Sequence, residues 1–223
     1  MTERFTDRLR QHATGIWDAQ LEHPFVREIG EGTLALEKFG FWVRQDYLFL
    51  VEYSRLFALA AARSPDLPTM LRFATLLKET ADTEMNLHRE YAAEFGISLK
   101  ELEREAMAPT TRAYTDFLLR VAAVGEFTEL VAALLPCMWA FSEIGQSLAK
   151  RPPPSDPRYA KWITMYSSTE FAELARWCRD LLDQLADGLP GSALQRMESA
   201  FLTSSRYEWL FWEMAWRMET WPV

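Results

Sequence analysis

The stretch Phe39-Gly40-Phe41-Trp42-Val43-Arg44-Gln45-Asp46-Tyr47-Leu48-Phe49-Leu50, continued to Tyr53, decides the fold class. Phe39, Trp42, Val43, Leu50 and Tyr53 recur at the spacing of one helical face, and the two-residue alternation of a half-buried strand is not sustained. Asp46 falls inside this apolar stripe. A carboxylate buried there without a partner would cost several kcal/mol or be forced to bind a proton, so a basic side chain or a ligand donor must meet it. Arg44 and Arg55 are the structural candidates for that role.

The same spacing extends in both directions along the chain, beginning with Phe5, Leu9, Ile16, Trp17 and Leu21. Helices are predicted near 3–21, 34–63, 67–95, 98–105, 109–124, 126–150, 156–165, 168–187 and 192–219. Ser98 with Glu101, Ser167 with Glu170, and Ser192 with Gln195 have capping-box spacing, and Gly96, Gly125 and Gly188 stand where helices would end. The only proline cluster, Pro152-Pro153-Pro154, is too short to link independent domains. Residues 1–223 are therefore expected to form one all-α domain, a helical bundle whose site lies between facing helices.

A chain of 223 residues with a net charge of −8 and no block of clustered Lys and Arg does not offer a surface for tracking nucleic-acid phosphates. Charges interrupt each hydrophobic stretch, and no apolar run is expected to reach the roughly 20 residues of a membrane span. The chain's two cysteines, Cys137 and Cys178, lack CxxC spacing, and no secretory signal is evident. Free thiols in a reducing cytosol follow. Nine tryptophans exceed what a core of this size usually needs, which suggests a flat-ligand pocket or a subunit contact.

Cys137 directly follows Pro136 inside the apolar run Leu134–Phe141 and is the best candidate nucleophile. Proline in a helix removes a backbone donor and favours a bend, here near Ala132 or Ala133. The alternative is a small buried hydrophobe. Glu208 lies between Phe201 and Ala215 on a face that also carries Phe211 and Trp212. Such surroundings raise the pKa of a carboxyl group, as a general acid working near neutrality requires, although an ion pair would also account for it. Tyr114 shares a stripe with Phe117, Leu118 and Val121, while Tyr166 stands near a loop, and either could be an ordinary core residue. Of the histidines, His12 is expected in the core, His23 in a loop before Pro24, and His88 one turn from Glu84, as a metal ligand or a surface pair. The paired Glu-x-x-His units of a di-iron bundle do not occur, so metal is disfavoured.

These residues resemble the thiaminase II (TenA) family, which has the haem-oxygenase-like helical fold. The resemblance runs through Trp17-Asp18, His23-Pro24-Phe25-Val26, Gly30 to Thr33, Gln45-Asp46-Tyr47, Leu135-Pro136-Cys137, Trp162 through Tyr166, Tyr207-Glu208 and Phe211 to Ala215. It implies a thiamin-salvage hydrolase that converts an aminomethyl-pyrimidine, or thiamin, to hydroxymethylpyrimidine. Cys137 would be the nucleophile and Glu208 the proton donor to a ring nitrogen. Asp46 would hold the exocyclic amine, Tyr114 would lie near the same end of the ring, Tyr166 would position the thiol or leaving group, and Phe211 would pack on the ring. The resemblance implies no metal or other cofactor, a homotetramer, and a pyrimidine as the only ligand. Many members carry tyrosine where this chain has Phe49 and Phe141, so two pocket hydroxyls are missing. Two other readings stand beside it: a metal-dependent oxidase on the same scaffold, using Glu52, Glu84, His88 and Glu143, and a non-catalytic pyrimidine-binding regulator.

Overall fold

The computed structural model describes residues 3–223, apart from the side chain of Thr83. Among these residues there are helices and no strands. In order they are α1 (Phe5–His12), α2 (Thr14–Leu21), α3 (Pro24–Glu31), α4 (Leu36–Arg63), α5 (Leu67–Glu79), a π-helical turn (Thr80–Glu84), α6 (Met85–Glu94), α7 (Leu99–Arg104), α8 (Pro109–Val124), α9 (Phe127–Leu148), α10 (Pro157–Tyr166), α11 (Thr169–Ala186) and α12 (Gly191–Arg217).

Local chemistry explains most of the boundaries. Proline at or next to the first position opens α3, α5, α8 and α10, where a missing N–H costs nothing. Asp66, Ser98 and Asp156 cap the orphan amides of their helices, and Ser98 with Glu101 forms the expected capping box. Gly96 and Gly188 take the left-handed backbone that ends a helix.

Several boundaries differ from the sequence reading. The cap of α11 is Ser168, which accepts from Phe171 N, rather than Ser167. Helix α12 starts at Gly191, so Ser192 lies inside it, and the Pro190 carbonyl opens its ladder. The predicted helix 3–21 breaks at Ala13, where the Thr14 hydroxyl donates to the Gln11 carbonyl and offers the backbone a local alternative. His12 is consequently exposed rather than in the core, with Nδ1 2.6 Å from Glu198. Residues 24–31, read as loop, form α3, because His23 caps it and Pro24 starts it.

The chain divides into two compact units, each assembled from separate stretches of sequence. The first comprises residues up to Leu34 together with Thr128–Glu213, and the second comprises Ala35–Phe127 with Met214–Val223. In the first unit Trp17, Trp139 and Phe201 form an aromatic cluster, and Trp17 Nε1 donates to Ser205 at 3.1 Å. In the second, Gln45 locks α4 to the segment before α8. Its Nε2 donates to the Ala106 carbonyl (3.0 Å), and its Oε1 accepts from Ala108 N (2.8 Å) and the Thr111 hydroxyl (2.9 Å).

One expectation about apolar runs is overturned. By length and composition alone, the 22 residues of α9 could cross a membrane. Its most apolar window is 72% buried within the protein, as befits a core helix. The helix also runs through Pro136 without interruption, although Ala132 loses its in-helix donor there.

Candidate active site

In the first unit, Cys137, Phe141 and Gly145 succeed one another at four-residue intervals on one face of α9. A β-carbon on Gly145 would clash with the backbone carbonyl of Tyr166, coming closer than any side chain tolerates. Glycine at this position lets the end of α10 press onto α9. The contact sets Tyr166 against Phe141, edge to face at 4.9 Å, and Phe141 also packs on Trp212 at 5.0 Å. Trp162 completes the wall, 4.7 Å from Tyr166 and 6.2 Å from Trp212.

Helices α9 and α12 touch through Glu129 with Arg196, Trp139 with Phe201 and Phe141 with Trp212. Four residues before Phe141 is Cys137, and four before Trp212 is Glu208. Glu208 is 2% exposed and Phe211 is buried beside it in sequence, while Cys137 keeps partial access to solvent. Cys178, by contrast, is wholly buried on α11, and desolvation pushes its thiol far above the ordinary range, which makes it an inert core residue.

In the second unit, Asp46 is 4% exposed on α4, as its place in the apolar stripe predicts. Neither arginine meets it. Arg44 lies 3.7 Å from Glu105, and Arg55 pairs with Glu52. The partner is His88 on α6, fully buried, with Nε2 2.6 Å from Asp46 Oδ2. Sequence reasoning saw His88 only as a possible ligand or surface residue. Its one available signal was a histidine in register with an unexplained buried carboxylate. Burial is the largest influence on His88 and lowers its pKa, but Asp46 and Glu84 together outweigh it and leave the ring more basic than usual.

Phe49 stacks on Tyr53 at 5.3 Å and tilts against Tyr114 at 5.1 Å. Tyr114 is carried on α8, whose start Gln45 anchors, so one buried amide positions both the carboxylate helix and the tyrosine helix. Of the ligands that a metal-dependent reading would need, Glu52 is engaged by Arg55, Glu143 lies 3.2 Å from Arg10, and His88 is committed to Asp46. Among the described residues no group of three or more His, Cys, Asp or Glu is gathered as a metal site.

A sequence model of the TENA/THI-4/PQQC family matches residues 10–218. The chain belongs to this family. A relative from Halalkalibacterium halodurans, named aminopyrimidine aminohydrolase, is 47% identical over 218 residues, covering 97% of each chain. A solved TenA homologue from P. horikoshii OT3 superposes with a TM-score of 0.88 at 32% identity, covering 96% of this chain and 99% of that one. A domain from Shewanella denitrificans described as having a heme oxygenase-like fold superposes at 0.74 with 14% identity, over 96% of this chain and 92% of that one. The fold is thus haem-oxygenase-like and all-α, as the thiaminase II (TenA) resemblance implied.

Proposed function

We propose that this chain is an aminopyrimidine aminohydrolase of thiamin salvage. It converts 4-amino-5-aminomethyl-2-methylpyrimidine, and thiamin more slowly, to the 5-hydroxymethyl compound. The observation that carries this reading is chemical: one unit holds an accessible thiol and a buried carboxylate on helices walled by aromatic rings, and the other holds a buried carboxylate on the helix that carries Phe49 against Tyr114. The name of the Halalkalibacterium relative agrees with it.

In this reading the Cys137 thiolate adds to a pyrimidine carbon while Glu208 gives a proton to a ring nitrogen. Addition breaks aromaticity, and the ring electrons then expel the amine from the methylene carbon as ammonia, which carries the proton the thiol gave up. Water adds to the exocyclic methylene, the carbon–sulfur bond breaks, and the ring nitrogen returns its proton to Glu208. The balance is substrate plus water giving alcohol plus ammonia. Asp46 holds the exocyclic amine, Tyr114 stands near that end, Tyr166 positions the thiol or leaving group, and Phe211 packs on the ring. Phe49 and Phe141 supply apolar surface in place of two hydroxyls, so the leaving-group side relies on packing. Residues 1–223 act as one cytoplasmic domain within a homotetramer.

The test is hydroxymethylpyrimidine and ammonia release by metal-free protein. Turnover that falls by about a thousandfold or more in Cys137→Ser is expected. Unchanged kcat in that variant, or no turnover by the wild type at high enzyme concentration, would overturn the reading.

A further inference from the structure

Both nitrogens of His88 face groups whose roles are settled by their chemistry. Nδ1 lies 2.9 Å from the Glu84 carbonyl, which can only accept, so Nδ1 carries a proton. Nε2 lies 2.6 Å from Asp46 Oδ2, an ion-pair contact in which the ring N–H is not aimed along the line to the oxygen. A bare Nε2 facing an ionised carboxylate would oppose two lone pairs at contact distance. The pair must therefore hold a second proton between nitrogen and oxygen. The π-helical turn Thr80–Glu84 ends where this arrangement begins and delivers the accepting carbonyl, and π turns within helices recur at functional sites.

We propose that His88 is the positioning residue for Asp46. It is a buried imidazolium, pinned at Nδ1 by Glu84, that ion-pairs with Oδ2 and leaves Oδ1 to receive the exocyclic amine of the pyrimidine. This rests on the role given to Asp46 above. The groups facing His88 support the location of the charge. Asp46 comes from α4, and the carbonyl and carboxylate of Glu84 come from the π turn. The other ring neighbours, Trp42 at 5.4 Å and Tyr91 at 6.4 Å, are aromatic side chains. Together Asp46 and Glu84 outweigh the burial that would otherwise discharge the ring.

The linkage has a definite sign. A histidine made more basic by its folded surroundings keeps its contribution below the ordinary histidine pKa, near 6.5, and loses it as pH rises through the higher folded value. Substrate affinity should accordingly weaken on the alkaline side.

His88→Gln separates positioning from mere structure, because its amide still reaches Asp46 as a neutral donor. KM is expected to rise about tenfold with kcat within about threefold, as for an interaction made equally in ground and transition states, and the alkaline rise in KM should vanish. His88→Leu should raise KM further, with Gln giving partial rescue. A KM-versus-pH profile in His88→Gln that matches the wild type would overturn the proposal, even if stability fell. Nitrogen-15 NMR of the wild type, with the three rings assigned through His12→Gln and His88→Gln, is independent of turnover. It should show both His88 nitrogens protonated at pH 7, whereas a neutral His88 ring there would overturn the proposal. Wild-type turnover and the Cys137→Ser loss test the reaction itself, so a failure of the His88 role is distinguishable from a failure of the function.

Discussion

Two buried histidines, one in each compact unit, face carboxylates through Nε2, yet their rings respond in opposite directions. His23 sits 3.2 Å from Glu213 and caps α3 by accepting from Phe25 N at Nδ1. Protonating that nitrogen would break the cap, and burial, its largest influence, holds its pKa below the ordinary value despite Glu213. His88 presents Nδ1 to a carbonyl instead, and the same nitrogen becomes an obligatory donor. The difference teaches that a carboxylate neighbour alone does not charge a buried histidine. The group at the far nitrogen decides whether the charged form has two satisfied donors or one.

Substitutions at each histidine and at the aromatic wall put this contrast to the test. The largest effect is expected for His88→Leu, which leaves Asp46 buried without its partner and should cost about 3–5 kcal/mol in urea unfolding at pH 7. A loss under about 1 kcal/mol would mean that the pair carries no ionic character. Gly145→Ala touches neither histidine and tests the aromatic wall alone. The new methyl cannot coexist with the Tyr166 backbone as placed, so a loss of about 1–3 kcal/mol or more, with reduced turnover, is expected.

The pH dependence comes next. The His88 contribution should fade as pH rises above about 6.5, and the His23 contribution, from a ring made less basic by folding, should fade as pH falls below about 6.5. Each slope can reach about 1.4 kcal/mol per pH unit, and comparing unfolding of the wild type with His88→Gln and His23→Gln across that range assigns them. If both slopes had the same sign, the contrast would fail. The smallest effect is expected for His23→Ala, which removes a helix cap and should cost about 1 kcal/mol, without moving the alkaline limb of KM.

Much of the architecture is legible in the chain. Helix α8 has the bounds read from its stripe and its closing Gly125, and Asp46 and Glu208 are buried where apolar periodicity placed them. What escaped had a common cause. Helix α3 is eight residues long and begins with His23-Pro24, which reads as a turn until the imidazole is seen accepting from Phe25 N. The break at Ala13 depends on a threonine hydroxyl finding a nearby carbonyl, and the π turn leaves the periodicity around it almost unchanged. The partner of Asp46 lies 42 residues away along the chain, beyond the reach of any local pattern. Gly145 likewise gave no local sign of its packing role, because the atoms that require it belong to α10.

The order of residues alone sufficed for a helical chain and for the two carboxylates that leave water, because these follow from periodicity and from the cost of desolvating charge. Only the tertiary structure decided which base meets Asp46 and which histidine is charged. A proton's position depends on the atoms that face each ring nitrogen, and those atoms are supplied by other turns and other helices.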